Sequence, residues 1–300
     1  MIRLLIDGES GTTGLQLVQR LPELPPHQRL TLPEAERKNP AAKRALYAQA
    51  DIVVLCLPDD AAMEAVALCR SLDADSPRIL DASSAHRTRA GWVYGLPELS
   101  ANQPTLIAHA RRVSNPGCYA TGAIALLAPL VQAGVLAPTA NISINAVSGY
   151  SGGGKSMIEQ HTRNHGPAFE LYGLGLQHKH VGEIQAHAGL AARPLFVPSV
   201  GHFAQGMVVS IPLFTNMLTK PYTAEALRML YAEHYNSSPH IRVEPAQPQR
   251  LEAELTNSDG LDIVVCASPD GEQLLLIAKL DNLGKGASGA AIQNLRLMMT

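Results

Sequence analysis

Residues 3–21 read Arg3-Leu4-Leu5-Ile6-Asp7-Gly8-Glu9-Ser10-Gly11-Thr12-Thr13-Gly14-Leu15-Gln16-Leu17-Val18-Gln19-Arg20-Leu21. The run from Arg3 to Ile6 is a short apolar strand, and Leu15, Val18 and Leu21 recur at helical spacing until Pro22 stops the pattern. Between strand and helix stands a glycine-spaced turn, Gly8-x-x-Gly11-x-x-Gly14. Glycines there allow a tight turn and let a pyrophosphate approach backbone N–H groups at a helix N-terminus, where the dipole favours anions. The spacing differs from Gly-x-Gly-x-x-Gly, so a plain turn is the competing reading of the motif on its own.

Working outward, further apolar runs bounded by breakers read as strands at residues 30–32, 51–57, 78–80 and 105–108. Near-continuous apolar strands imply a parallel sheet buried on both faces. Residues 60–72 have helical periodicity with a cap expected at Asp59 or Asp60, which completes repeated β-α-β units with right-handed crossovers. The expectation for the first part of the chain is a doubly wound α/β sheet.

After Cys118 the texture changes. An apolar helix runs to Gly134, followed by strand-like stretches at 141–147, 206–213, 261–267 and 273–280, as in an α+β domain. Residues 155–176 are rich in Gly, His and polar side chains and read as a long excursion or active-site loop. Residues 281–299 are Gly/Ala-rich and then helical, and are expected to return to the first domain. The expected division is therefore 1–113 with 283–300, and 114–282.

The 300 residues carry 24 Lys and Arg against 26 Asp and Glu, with 46% hydrophobic and 17% charged residues. Without a dense cationic cluster, a nucleic-acid surface is not expected. The longest apolar stretch, 122–138, is too short and interrupted to span a membrane. The first residues lack the form of a secretory leader, so the expected location is the cytoplasm. Cys56, Cys69, Cys118 and Cys266 include no close pair, which argues against both zinc and a disulfide framework.

The sharpest chemical signal is Ser114-Asn115-Pro116-Gly117-Cys118-Tyr119-Ala120-Thr121-Gly122, which opens the apolar helix. A thiol at that position meets the positive end of a helix, which stabilises thiolate and offers N–H groups to an oxyanion. Cys56, Cys69 and Cys266 lie within apolar segments and read as core residues. A catalytic thiol needs a proton partner, and His178-Lys179-His180 supplies imidazoles near working pH. In an extended segment the two rings would share a face. Metal binding by that pair lacks a third ligand.

These residues resemble the N-acetyl-gamma-glutamyl-phosphate reductase family of arginine biosynthesis, in its short form. The resemblance rests on residues 8–14, Leu57-Pro58-Asp59-Asp60, Asp81-Ala82-Ser83-Ser84-Ala85-His86-Arg87, Tyr94-Gly95-Leu96-Pro97-Glu98-Leu99, the thiol motif, His178-Lys179-His180, and Asp281-Asn282-Leu283-Gly284-Lys285-Gly286-Ala287. It implies a Rossmann-like dinucleotide domain, an α+β catalytic and oligomerisation domain, an active site in the cleft between them, and a homo-oligomer, dimer or tetramer. The implied activity is NADPH-dependent reduction of an acyl phosphate to a semialdehyde with release of phosphate.

By the same resemblance Cys118 is the nucleophile and His178 the acid/base residue, with Tyr172 and His180 lining the substrate pocket. Arg87 and Asn115 are implied on the substrate's phosphate side. Gly8, Ser10, Gly11, Thr12, Thr13, Gly14, Gly152, Gly153, Asn282 and Lys285 are implied at the NADP cofactor, with Arg37 and Lys38 favoured over Glu34 near its 2′-phosphate. Lys155, Arg163, His202 and Arg242 are candidate carboxylate partners without a firm assignment.

Other classes compete. Gly149-Tyr150-Ser151-Gly152-Gly153-Gly154-Lys155-Ser156 satisfies the P-loop pattern after a strand, which would suit a nucleotide triphosphatase or kinase. Against it, no strong amphipathic helix is expected after Ser156. An aspartate-semialdehyde dehydrogenase would share the chemistry, and a non-enzymatic dinucleotide sensor would leave Cys118 and His178 without a role.

Overall fold

In the computed structural model the Leu4-Leu5-Ile6 run forms β1 (Ile2–Asp7), and the turn after it leads into α1 (Thr12–Arg20). The structure describes residues 1–163 and 165–300. It divides into two units: Met1–Pro116 with Ala287–Thr300, and Gly117–Gly286.

In the first unit the chain continues through β2 (His27–Leu30), α2 (Pro40–Tyr47), β3 (Ile52–Leu55), α3 (Asp59–Arg70), β4 (Arg78–Asp81), β5 (Val93–Tyr94), α4 (Gln103–His109) and β6 (Arg112–Ser114). The sheet order is β2-β1-β3-β4-β6-β5, with every pair parallel. Strand alternation sends Leu4, Ile6, Ile52 and Val54 into one core, and Leu5, Val53, Leu55 and Ile79 into another with Tyr47 and Cys69. Both faces are buried, as a doubly wound sheet requires. The order reverses direction between β1 and β3, which places the glycine turn at the switch point.

Three local expectations are corrected. Residues 105–108 lie in α4 instead of a strand. The three apolar residues Leu106, Ile107 and Ala108 fit either element, and Pro104 in the first turn favours the helix. The second strand ends at Leu30 instead of spanning 30–32. α3 is preceded by Pro58, not capped by an aspartate, because the Asp59 carboxylate accepts from Ser84 N–H (2.9 Å) and Oγ (2.6 Å).

The second unit runs α5 (Cys118–Gln132), β7 (Ser143–Gly149), α6 (Gly154–Arg163), β8 (Phe169–Leu171), α7 (His180–His187), β9 (Leu195–Gly201), β10 (Met207–Phe214), α8 (Ala224–His234), β11 (Ile241–Val243), β12 (Leu261–Ala267) and β13 (Gln273–Leu280). Its mixed sheet has the order β11-β12-β13-β10-β7-β9-β8. Along β10, Met207, Val209, Ile211 and Leu213 are buried while Pro212 and Phe214 are exposed, so one face is covered and the other is not. α5 lies on the covered face, where Gly122 abuts Val209. The stretch 155–176 is not one long loop: α6 and β8 fall within it. Asn164, part of that expectation, lies outside the described residues.

The last helix, α9 (Gly289–Met298), belongs to the first unit, with Ala291, Ile292, Leu295 and Met298 in the core of Leu4 and Ile6. The junctions fall at 116/117 and 286/287 rather than 113/114 and 282/283. Asn115 N–H donates to Asp81 O (2.7 Å), which keeps that residue with the first unit. Lys285 N–H donates to Ser258 O (3.2 Å) and Gly286 N–H to Asp281 O (2.9 Å), which keeps those residues with the second. No helix among the described residues is long and apolar enough to cross a membrane.

One arginine joins three elements of the first unit. Arg78 on β4 donates to the carbonyls of Ile107, Ala108 and Ala110 at the end of α4 and to that of Met298 at the end of α9. Carbonyls at a helix end lack intrahelical donors, although that of Ile107 also accepts from Ala110 N–H (3.2 Å). Replacing Arg78 by Met is expected to cost about 2–3 kcal/mol through the orphaned acceptors. Urea unfolding should show a lower midpoint with an unchanged slope.

Candidate active site

Gly117 is the N-cap of α5, extended at φ −80° and ψ 148°, and the helix has no side-chain cap. Its carbonyl accepts from Thr121 N–H (2.8 Å) and Thr121 Oγ1 (3.1 Å). The first-turn N–H groups of Tyr119 and Ala120 therefore have no intrahelical acceptor. Cys118, half-buried, is the first helical residue. Gly286 lies against it: a Cβ there would fall 2.8 Å from the Cys118 Cβ, so glycine is needed for the close approach.

An aromatic cluster surrounds this helix start within the same unit. The Tyr119 ring meets the rings of His178 and His180 edge-on, each at 5.8 Å, and that of Phe196 at 5.3 Å. His178 lies 4.7 Å from His180 and 5.7 Å from Tyr172. The segment is not extended as expected, because His180 already begins α7. Its N–H donates to His178 Nδ1 (3.1 Å), which makes Nδ1 the acceptor and leaves the proton of the neutral ring on Nε2. That Nε2 faces the Tyr172 hydroxyl at 3.4 Å.

Glu183 was not singled out from the sequence. It is buried in the first turn of α7, and its Oε1 accepts from Gly117 N–H (2.8 Å). A lone acid in His180-Val181-Gly182-Glu183-Ile184 forms no motif. Its signal is an acid beside His180, Val181 and Ile184, which pack inward.

In the first unit the glycine turn is built for close approach. A Cβ on Gly8, at φ +96°, would fall 2.2 Å from Cys56 O, and one on Gly14 would fall 2.2 Å from Gly8 O. α1 also lacks a side-chain cap, so Thr12, Thr13 and Gly14 present N–H groups at its start. Ser10 is exposed. Arg37 is paired with Glu34 at 3.6 Å, and Lys38 is exposed.

Several motif residues serve the fold. Arg87 is buried, and its Nε and Nη2 donate to the carbonyls of Asn115 (3.0 Å) and Ala82 (3.2 Å). The Asn115 side chain donates to Ala287 O (3.0 Å) and accepts from Asn294 (3.1 Å). Asn282 accepts from Gly206 N–H (2.7 Å) and donates to Ser151 Oγ (2.9 Å), fixing the turn that contains Gly152 and Gly153. Lys285 is fully buried. Among the weaker candidates, Arg242 pairs with Glu244 and Asp262, Arg163 pairs with Glu159, and His202 Nδ1 shares a hydrogen bond with His161 Nδ1 at 2.9 Å. Lys155 is in the first turn of α6.

α6 follows the P-loop match, contrary to expectation, but the first N–H groups of that stretch are engaged: those of Gly149, Tyr150 and Ser151 donate to the carbonyls of Gly206, Phe203 and Ala204.

The semialdehyde dehydrogenase NAD binding domain matches residues 3–106, and the semialdehyde dehydrogenase dimerisation domain matches residues 118–282. N-acetyl-gamma-glutamyl-phosphate reductase 2 of Pseudomonas putida is 52% identical over 98% of this chain and 96% of its own. The chain belongs to the N-acetyl-gamma-glutamyl-phosphate reductase family. Family members named N-acetyl-gamma-glutamyl-phosphate reductase from Burkholderia ambifaria and Brucella ovis are each 48% identical, over 98% and 99% of this chain and 95% and 98% of theirs. The reductase fold is shared with aspartate semialdehyde dehydrogenase II from Vibrio cholerae, at TM-score 0.76 and 16% identity over 100% of this chain and 98% of that one. Aspartate semialdehyde dehydrogenase from Francisella tularensis matches at TM-score 0.77 and 11% identity, covering both chains fully.

Burial pushes the Tyr172 phenol up to about 12, and it raises that of Tyr119 as well. The unfolded chain ionises its tyrosines near 10, so stability is complete below that pH and is lost as pH rises from about 10 toward 12. Urea unfolding should show a lower midpoint at pH 11 than at pH 9, with a smaller drop in Tyr172→Phe.

Proposed function

We propose that the protein catalyses NADPH-dependent reduction of N-acetyl-gamma-glutamyl phosphate to N-acetylglutamate 5-semialdehyde and phosphate, with Cys118 as nucleophile and His178 as acid/base. The observation that carries the reading is the thiol at the uncapped start of α5, grouped through Tyr119 with a histidine whose Nε2 bears the proton. Family membership supports the substrate class.

The residues of the first unit fit the cofactor, because Gly8 and Gly14 let the turn fold tightly onto the Cys56 and Gly8 carbonyls, where a Cβ would collide, and the uncapped N–H groups opening α1 suit a pyrophosphate. Gly8, Ser10, Gly11, Thr12, Thr13 and Gly14 would hold it there, with Arg37 and Lys38 near a 2′-phosphate. In the second unit, Asn282 fixes the turn that contains Gly152 and Gly153. When bound, NADPH supplies a hydride to the acyl carbon.

The Cys118 thiolate attacks the acyl phosphate carbon. The carbon–oxygen bond to phosphate breaks, and a thioester remains on Sγ. The N–H groups of Tyr119 and Ala120 receive the oxyanion that develops at each addition. At the reduced stage the alkoxide of the thiohemiacetal on Cys118 is stabilised by the hydrogen bond that His178 donates from Nε2. Its collapse breaks the carbon–sulfur bond and releases aldehyde and thiolate. Tyr172 keeps its proton at working pH and orients Nε2, while His180 holds His178 through its N–H. Arg87 holds the Asn115 carbonyl, three residues before the nucleophile.

The protein acts as a homodimer through the uncovered face of the second unit's sheet. Phe169 and Leu171 are 57% and 50% exposed there, and Phe214 is exposed on the same sheet. Single chains rarely leave apolar area of this kind open. The cytoplasm suits its four free cysteines.

NADPH formation from N-acetylglutamate 5-semialdehyde, NADP and phosphate tests the reading. Wild type should turn over in a phosphate-dependent way and prefer this substrate to aspartate semialdehyde. Cys118→Ser should lose at least about 10³-fold in kcat, and His178→Asn about 10²-fold, with NADP affinity unchanged. Preference for aspartate semialdehyde overturns the substrate, and full activity of Cys118→Ser overturns the mechanism.

A further inference from the structure

The hydrogen bond from Gly117 N–H to Glu183 Oε1, 2.8 Å long and buried, ties the segment bearing the thiol to the segment bearing the histidines. Glu183 is only 1% exposed, and a buried carboxylate is tolerated where it satisfies donors. It stands in the first turn of α7, five residues after His178 and three after His180.

An N-cap side chain would normally accept from the N–H groups two or three residues into the helix. Gly117 has no side chain, so the Tyr119 and Ala120 N–H groups stay available to a reacting oxygen. A glycine cap also leaves the peptide before the thiol with the most backbone freedom of any residue. Glu183 removes that freedom from outside the helix, by holding the cap's own N–H, and it covers neither donor. The titratable groups around this tie are Cys118, Tyr119, Tyr172, His178 and His180.

We propose that Glu183 is a positioning residue for the reductase reaction, fixing the peptide before Cys118 so that Sγ is held in register with His178, two residues before the helix that carries Glu183. It acts as a hydrogen-bond acceptor, so an amide oxygen can replace its carboxylate. Its negative charge near the helix start opposes thiolate formation, so removing the charge while keeping the acceptor favours thiolate at lower pH. The proposal rests on Cys118 being the nucleophile.

The test compares Glu183→Gln and Glu183→Ala in the full chain by steady-state kinetics and by the pH dependence of Cys118 alkylation with iodoacetamide in the absence of substrate. Glu183→Ala should lose at least tenfold in kcat with KM within threefold. Glu183→Gln should keep kcat within threefold while its alkylation profile moves to lower pH. A folded Glu183→Ala enzyme with kcat within twofold of wild type overturns the proposal, as does Glu183→Gln falling as far as Glu183→Ala. Should Glu183→Ala fail to fold, Glu183→Gln decides alone: retained kcat with a shifted profile supports positioning, and an unshifted profile overturns it. Turnover retained by Cys118→Ser is a separate result that removes the nucleophile assignment, whatever Glu183 does.

Discussion

An α-helix cannot satisfy the N–H groups of its own first turn, and both units of this protein use that constraint. At α1 the glycine turn brings uncapped N–H groups to the switch point of a parallel sheet, where a pyrophosphate is the natural acceptor. At α5 the cap is again a glycine, and the first helical residue is Cys118. The same donors there favour a thiolate and an oxyanion. Each start depends on a glycine where a Cβ would collide, Gly14 beneath α1 and Gly286 against Cys118.

Around the second start, the polar residues divide between chemistry and support. His178 keeps an Nε2 proton because a backbone N–H occupies Nδ1, and Tyr172 stays protonated because it is buried. Arg87, Asn115 and Asn282 stand in equally distinctive motifs, yet their side chains are engaged by carbonyls, amides and a hydroxyl of their own unit. Burial pushes the Cys56 and Cys69 thiols up to about 12, which keeps them protonated at neutral pH.

Features written in local sequence were legible in advance. The glycine turn, the apolar strands β1 and β3, and the helix opening at Cys118 each follow from periodicity and breakers within ten or so residues. At residues 105–108 the three apolar side chains of Leu106, Ile107 and Ala108 fit strand and helix alike until Pro104 is given its weight. α6 was hidden by the glycines that precede it and by a polar surface that buries only His161. The turn of His180 into a helix, and with it the tautomer of His178, depends on packing against Tyr119 and Phe196, which no spacing encodes. Glu183 was invisible for the same reason, since its partner is 66 residues away.

The central claim is that substrate passes through a covalent bond to the thiol at the start of α5. The direct measurement mixes the protein with N-acetyl-gamma-glutamyl phosphate in the absence of dinucleotide, quenches in acid, and follows phosphate release together with peptide mass. The account predicts one acyl group on the peptide containing Cys118 and one phosphate released per chain. Phosphate release or full turnover without an acyl increment on that peptide would contradict it.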